Sequence, residues 1–157
     1  MDAKSWNQIP QNRLSKLQPE QKKRYFELFV KSGKKDITDD EAKELSRLKN
    51  IMNVFDTTNT DLVFANINKG VNNPLTYDLM IQDLYKIKFD LTKDIPKLTM
   101  PITVITGKQD PLAFLTTEFQ SISSAANVIW IDKSGHFPMF EQPDAFYPKL
   151  MEALNRH

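Results

Sequence analysis

Two short runs of β-branched and apolar residues near the end of the chain restrict its fold more than any other feature. The first run is ITVITG at 102–107 and the second is NVIWID at 127–132. The segment between them includes PLAFLTTEFQSISSAA at 111–126, which can form a helix, and QPDAFYPKLMEALN at 142–155 can form another. Two strands joined through a helix pair in parallel, with a right-handed crossover. The sequence therefore predicts an α/β unit of the order strand, helix, strand, helix.

The last of these helices contains a proline that conflicts with a regular helix. Pro148 would lie several residues inside a helix that starts near Pro143. Proline lacks the amide proton and clashes with the preceding turn. We therefore expect either a kink or a helix that begins only at Tyr147 or Pro148.

The first part of the chain, residues 1–95, has helical periodicity instead. Pro19 stands where a first helical turn tolerates proline, and Gly33 where a helix would end. Thr38 and Glu41 have the spacing of a capping box. Two stripes of apolar residues at helical spacing are predicted to lie in the core. The first consists of Leu45, Leu48, Ile51, Met52 and Phe55. The second lies in a helix that Asn73 and Pro74 open, and it consists of Leu75, Leu79, Leu84 and Tyr85.

Composition argues against several classes of function. Lys and Arg total 21 and Asp and Glu total 20, so a net charge of +1 gives no general attraction to nucleic acid or to anionic membranes. The absence of cysteine excludes disulfides, thiolate metal sites and a cysteine nucleophile, and no histidine or carboxylate cluster has metal-ligand spacing. The polar N-terminal stretch is not a secretory signal, and the apolar runs are too short to span a membrane. We expect a cytoplasmic protein without metal or cofactor.

Asp110 and His136 each follow a predicted strand within a few residues. The carboxyl ends of adjacent parallel strands meet at one edge of a sheet, where ligands bind in open α/β folds, so the two side chains are expected to meet. Gly107 permits a tight exit from the first strand, and Gly135 lets the backbone present the histidine. An aspartate bonded to one imidazole nitrogen leaves the other free to accept a proton. The alternative is a surface histidine beside an unrelated aspartate.

These two segments also resemble a known family. MPITVITGKQDP at 100–111 and SGHFPMFEQPDAF at 134–146 look like the C-terminal end of the α/β-hydrolase superfamily. The residues after the histidine resemble those of proline iminopeptidases and related lid-bearing serine hydrolases. The resemblance implies that Asp110 is the acid and His136 the histidine of a catalytic triad.

The resemblance implies two regions. Residues 1–95 would be the helical lid that such enzymes insert before their last strands, with 13–21 and 39–55 similar to lid helices. Residues 96–157 would be the C-terminal segment of the α/β-hydrolase core. The similarity is strong over this second region and weak over the first.

The resemblance also implies a reaction, which is hydrolysis of a small-molecule ester or peptide through an acyl intermediate.

Glu141 would accept amide hydrogen bonds in the turn after the histidine. An iminopeptidase would also need acids in the lid to bind the substrate's amino group, and the candidates are Glu20, Glu27 and Glu44. The candidate substrate-binding residues are Phe137, Met139 and Phe140, although core packing is an alternative role for at least one of them.

The sequence lacks the nucleophile of that family. The G-x-S-x-G elbow precedes the acid and the histidine in chain order, but the glycines stand only at positions 33, 70, 107 and 135 and no two enclose a serine at that spacing. Ser134 belongs to the histidine loop and is a poor nucleophile candidate.

Three interpretations remain open. The chain is a piece or proteolytic product of a longer serine hydrolase, one half of a split enzyme, or a non-catalytic binding protein derived from a hydrolase. Under the first two, its partner is the missing N-terminal half, and we expect the chain by itself to be inactive. We also expect self-association, because a two-stranded sheet leaves an edge open to pairing.

Overall fold

A computed structural model describes residues 3–69, 73–88, 90–123 and 125–155. The second histidine of the sequence, His157, lies outside the described residues. The protein is a mixed α/β structure, 62% helical, with a small two-stranded parallel sheet. The sequence-based prediction of an α/β fold with parallel strands is confirmed at this level.

Along the described chain, five helices precede the first strand, one lies between the two strands and two follow them. Two 3₁₀ turns, at Thr57–Asn59 and Ile95–Lys97, separate longer elements. The helices are α1 (Ala3–Leu14), α2 (Pro19–Gly33), α3 (Asp39–Ile51), α4 (Thr60–Ile67), α5 (Pro74–Lys86), α6 (Ala113–Ile122), α7 (Pro138–Glu141) and α8 (Pro143–Leu154). In the described part of the chain, no helix combines the length and the apolar character that a membrane crossing requires.

The predicted helix boundaries in the first region are confirmed. Helix α2 begins at Pro19 and includes Gly33 as its last residue. At the start of α3, Thr38 Oγ1 accepts a hydrogen bond from the Glu41 amide (3.3 Å), and Glu41 Oε2 accepts one from the Thr38 amide (3.1 Å). This reciprocal pair satisfies two amides that a helix start leaves without partners.

The predicted core is correct for α3 and wrong for α5. Phe55 is 42% exposed, since it follows the end of α3 and no longer shares its periodicity. Helix α5 forms as predicted, but Leu75, Leu79 and Tyr85 are 67%, 54% and 69% exposed, and Leu84 is only half-buried. An apolar stripe predicts a helix, whereas its burial depends on what packs against it. The buried cluster of the helical region consists of Leu17, Leu28, Leu45, Leu48, Ile51 and Met52.

The sheet has the predicted topology. Strand β1 (Ile102–Gly107) pairs in parallel with β2 (Ala126–Ile131), with Gly107 opposite Ile131 at the carboxyl end. Helix α6 is the crossover between them.

Helix α8 starts earlier than one of the two sequence-based predictions for Pro148 required. It begins at Pro143 and continues through Pro148, so the prediction of a start at Tyr147 or Pro148 is wrong. A proline inside a helix removes one intrahelical hydrogen bond. Contacts of α8 with both strands hold the helix in place despite that loss.

Candidate active site

Asp110 and His136 meet beyond the carboxyl ends of the two strands, as predicted. His136 Nδ1 lies 2.9 Å from Asp110 Oδ2. The Asp110 side chain is only 7% exposed, whereas that of His136 is 37% exposed. A carboxylate only accepts hydrogen bonds, so Nδ1 carries the proton of the neutral ring and Nε2 presents its lone pair. The arrangement orients one imidazole nitrogen for proton transfer.

The loop after β1 fixes the aspartate. Asp110 Oδ1 accepts a hydrogen bond from the Leu112 amide (2.8 Å), which leaves Oδ2 for the histidine. Gly107 lies directly against the other loop, since a Cβ there would overlap the carbonyl oxygens of Ser134 and Gly135. Any larger residue would force the two loops apart. Glycine at this position therefore keeps the acid within reach of the imidazole.

Gln109 and Ser134 join the acid loop to the histidine loop. The Gln109 amide donates to Ser134 O (2.9 Å), and the Ser134 amide donates to Gln109 Oε1 (3.0 Å). Ser134 is fully buried and its hydroxyl lies 3.4 Å from Gly135 O. This serine is therefore placed as a structural residue and not as a nucleophile for His136.

Glu141 holds the turn after the histidine, as predicted. Its Oε1 accepts hydrogen bonds from the amides of Gly135 (2.9 Å) and Phe137 (3.2 Å). Its Oε2 accepts from the Phe55 amide (2.7 Å), which belongs to the helical region. One carboxylate thus fixes the backbone on both sides of His136 and links it to the segment after α3.

The helical region forms a second wall of the site, which the sequence did not predict. The His136 amide donates to Asn53 O (2.7 Å), directly after α3. Asn12 Nδ2 of α1 donates to Pro111 O (3.0 Å), and Lys16 Nζ, in the turn after α1, donates to Gln109 O (2.9 Å). These partners lie far from the strands in sequence, and their local sequence carries no motif that would reveal them.

The three aromatic or sulfur side chains after the histidine have different surroundings. Phe137 packs edge-on against His136 and against Phe64 of α4, with ring centroids 5.0 and 5.3 Å apart respectively. Met139 lines a groove with residues of β1 and α8, and Phe140 is 38% exposed. Phe137 therefore contacts the imidazole ring.

Two of the three acids that were candidates for binding a substrate's amino group form ion pairs with an arginine instead. Glu44 and Glu27 both form ion pairs with Arg24 on the protein surface, with shortest N–O distances of 2.7 and 3.6 Å. The hydrogen bond from Arg24 lowers the pKa of the Glu44 carboxyl. Glu20 is an exposed residue in the first turn of α2.

The described part of the site contains neither a nucleophilic hydroxyl beside the histidine nor a cluster of metal ligands. Within residues 3–69, 73–88, 90–123 and 125–155, no hydroxyl is hydrogen-bonded to His136 Nε2. The same residues contain no group of three or more His, Asp or Glu side chains that could hold a metal ion.

Comparison with known proteins assigns no family to the chain. No protein-family model, no curated protein and no solved structure matches it. The geometry around Asp110 and His136 is therefore the basis for a functional proposal.

Proposed function

We propose that the chain supplies the acid and the base of a serine-type acyl hydrolase with the α/β-hydrolase fold. The observation that carries this proposal is the 2.9 Å contact between the buried Asp110 carboxylate and His136 Nδ1. That contact leaves Nε2 as the free ring nitrogen of a side chain that is 37% exposed, to which a substrate and a nucleophile could gain access. Asp110 and His136 are the residues to which we assign the catalytic roles.

The proposed reaction is acyl transfer to water. A serine hydroxyl attacks the carbonyl carbon of an ester or peptide while His136 Nε2 takes its proton. His136 then protonates the leaving alcohol or amine as the bond to the acyl carbon breaks. Water attacks the acyl-enzyme in a second round that uses the same nitrogen. Asp110 holds the ring in one tautomer and stabilises the imidazolium.

The nucleophilic hydroxyl must come from an element that packs beside His136, at the carboxyl end of the two strands. Strand β1 pairs only with β2 among the described residues, so its other edge carries unpaired backbone groups. A groove bordered by Ile105, Met139 and Phe146 adds apolar surface on one face of the same strand. We propose that the N-terminal half of a hydrolase, carrying the nucleophile and the remaining strands, covers this region.

The activity test uses the chain purified, through a tag on its C-terminus, from the cells that make it naturally. We expect the polypeptide or complex that contains it to hydrolyse an activated ester or a proline arylamide and to react with a fluorophosphonate. His136→Ala should abolish most turnover, and Asp110→Asn should reduce it on the order of 10⁴-fold. The chain produced alone should do neither.

Two controls make the outcome decisive. Ser134→Ala should leave turnover unchanged if that serine is only structural. Turnover by the isolated chain that is lost in His136→Ala would contradict the need for an external nucleophile. Near-normal activity of Asp110→Asn would contradict the assignment of the acid. An active complex in which neither variant matters would favour a non-catalytic binding role for this chain.

The open edge of the sheet also predicts self-association of the isolated chain. Exposed strand edges pair readily with other edges. Sedimentation across a concentration series should show dimers or larger species as the concentration rises. A monodisperse monomer at high concentration, with cooperative unfolding, would contradict an incomplete sheet and favour an independent binding module.

A further inference from the structure

His136 is held from two sides, and each side belongs to a different part of the molecule. Its ring contacts Asp110 beyond the strands, with 2.9 Å between Nδ1 and Oδ2. Its backbone amide donates to Asn53 O (2.7 Å), in the segment that follows α3. The direction of the imidazole ring therefore depends on where that segment lies relative to the sheet.

The segment of residues 53–55 is fixed to the helical core. Val54 is 0% exposed, and Met52, directly before the segment, belongs to the buried cluster that includes Leu28. The segment also lies against the histidine loop, because a Cβ at Gly135 would overlap its backbone. A displacement of the segment would therefore displace the histidine loop as well.

Glu141 connects the segment to the histidine loop through its two carboxylate oxygens. Its Oε1 accepts hydrogen bonds from the amides of Gly135 (2.9 Å) and Phe137 (3.2 Å), which precede and follow His136. Its Oε2 accepts one from the Phe55 amide (2.7 Å). A side chain that only closed the turn after the histidine would need one of these oxygens. The second oxygen joins that turn to the helical region.

The three contacts of Glu141 require a carboxylate. A carboxylate has two oxygens that only accept hydrogen bonds, whereas the glutamine amide has one accepting oxygen and a donating NH2 group. In Glu141→Gln, the oxygen can keep the two amides beside His136. The NH2 group then faces the amide of Phe55, which is also a donor. The substitution therefore breaks the connection to the helical region while the turn stays closed.

We propose that Glu141 is a positioning residue that makes the contact between His136 and Asp110 depend on the position of the segment 53–55. The helical region then regulates the pair, because it holds the ring against Asp110 only while this segment is in place. The effect on the ring stands on the geometry of these residues. Its consequence for turnover rests on the proposed hydrolase function.

The test measures the tautomer of His136 in the full chain produced alone. The chain is labelled with ¹⁵N-histidine, and the ring ¹⁵N shifts are recorded at about pH 9, where an ordinary imidazole is neutral. Loss of one set of signals in His136→Ala assigns them, since His157 is the other histidine of the sequence. We expect the Nδ1–H tautomer in the unmodified chain, because the carboxylate of Asp110 accepts that proton.

Glu141→Gln should shift the ring toward the Nε2–H tautomer. The ratio of Nδ1–H to Nε2–H should fall roughly tenfold, which is the size expected when a hydrogen bond to a charged group is weakened. Hydrogen exchange should become faster at the amide of Phe55 and stay slow at the amides of Gly135 and Phe137. A loss of stability without a change in position would leave the tautomer ratio as it is.

Matched variants separate the connection from other effects of the substitution. Glu41→Gln makes the same change in a carboxylate that accepts the Thr38 amide at the start of α3, and it should leave the tautomer ratio unchanged. Phe55→Pro removes the amide that Glu141 binds and should lower the ratio. Phe55→Ala keeps that amide and should not, since the side chain is 42% exposed. Glu141→Asp keeps both oxygens on a shorter side chain and should give a smaller fall, which provides another reading if a variant fails to fold.

Three results would overturn the proposal. These are no excess of the Nδ1–H tautomer in the unmodified chain, an unchanged ratio in Glu141→Gln, or an equal fall in Glu41→Gln. The readout needs no catalysis, so it is independent of the hydrolase proposal. In an active complex, Glu141→Gln should lower kcat roughly tenfold with little change in KM. A normal kcat beside a shifted tautomer would contradict the catalytic role of His136 and leave the positioning role of Glu141 intact.

Discussion

The helical region and the two-stranded sheet differ in how completely each buries its apolar residues. In the helical region, Leu28 and Val54 are 0% exposed and Val63 is 2% exposed. In the sheet, Ile131 is the one apolar strand residue that is fully buried, and the others keep partial exposure. A parallel strand is normally covered on both faces. The difference indicates that α2 and α3 close a small core between them, whereas the strands, like the exposed stripe of α5, need further cover.

The largest expected effect of a single substitution lies in the helical core. Leu28→Ala should lower the free energy of unfolding by about 2–5 kcal/mol, because it removes a fully buried side chain and leaves a cavity. Chemical denaturation monitored by circular dichroism measures the change.

Two further variants test whether the helical core is better packed than the sheet. Leu62→Ala, at a position that is 65% exposed on α4, should change stability by no more than about 0.5 kcal/mol. Ile105→Ala, in the partly exposed strand β1, should cost less than Leu28→Ala. If Ile105→Ala cost as much as Leu28→Ala, the sheet would be as well packed as the helices, and the contrast between the two regions would be lost.

An intermediate effect is expected where the two regions touch. A Cβ at Gly135 would overlap Asn53 O and lie 2.8 Å from Val54 C and 2.9 Å from Phe55 N, all of which are backbone atoms. Gly135→Ala should therefore push the histidine loop away from the segment after α3, at a cost of about 1–3 kcal/mol. The His136 amide should lose its hydrogen bond to Asn53, which faster amide hydrogen exchange would report.

Gly33 provides the matched control for that substitution. A Cβ there meets nothing within 4 Å, and the residue lies at the end of α2. Gly33→Ala should be neutral or slightly stabilising, since alanine loses less conformational entropy on folding. Equal effects of the two substitutions would show that the contact between the regions is loose enough to accommodate a methyl group.

The smallest expected effect is a pH dependence of stability that arises from the ion pair between Lys31 of α2 and Glu41 of α3. Two hydrogen bonds lower the pKa of Glu41 below its ordinary value of 4.5. The bond from Lys31 Nζ has the larger effect, and the bond from the Thr38 amide has the smaller one. A carboxyl group whose pKa is lower in the folded state stabilises that state above 4.5, and the stabilisation is lost as pH falls through the lowered pKa. Glu41→Gln should therefore lower Tm slightly at pH 7.

The pH series separates this pair from other surface charges. The difference in Tm between Glu41→Gln and the unmodified protein should shrink as pH falls below 4.5 and vanish when Glu41 is protonated in the folded state. Asp40→Asn is the control, because Asp40 and its partner Lys43 are both exposed on the same helix. A difference for Glu41→Gln that stays constant at low pH would rule out the ion pair with Lys31 as its cause.

The sequence by itself determined the local structure and the meeting of the two candidate catalytic residues. The capping box at Thr38 and Glu41 follows from residue spacing within a single turn. The contact between Asp110 and His136 follows from the rule that adjacent parallel strands end at the same edge. Both inferences need only short-range periodicity and one topological rule.

Only the tertiary structure decided what covers each element and what surrounds the site. The apolar stripe of α5 predicted the helix correctly. Whether Leu75 on that stripe is buried or exposed depends on where the other elements pack. The hydrogen bond from the His136 amide to Asn53 O joins residues that are distant in sequence. Spacing along one element specifies which residues share a face, whereas contacts between elements depend on packing in three dimensions, which no local pattern encodes.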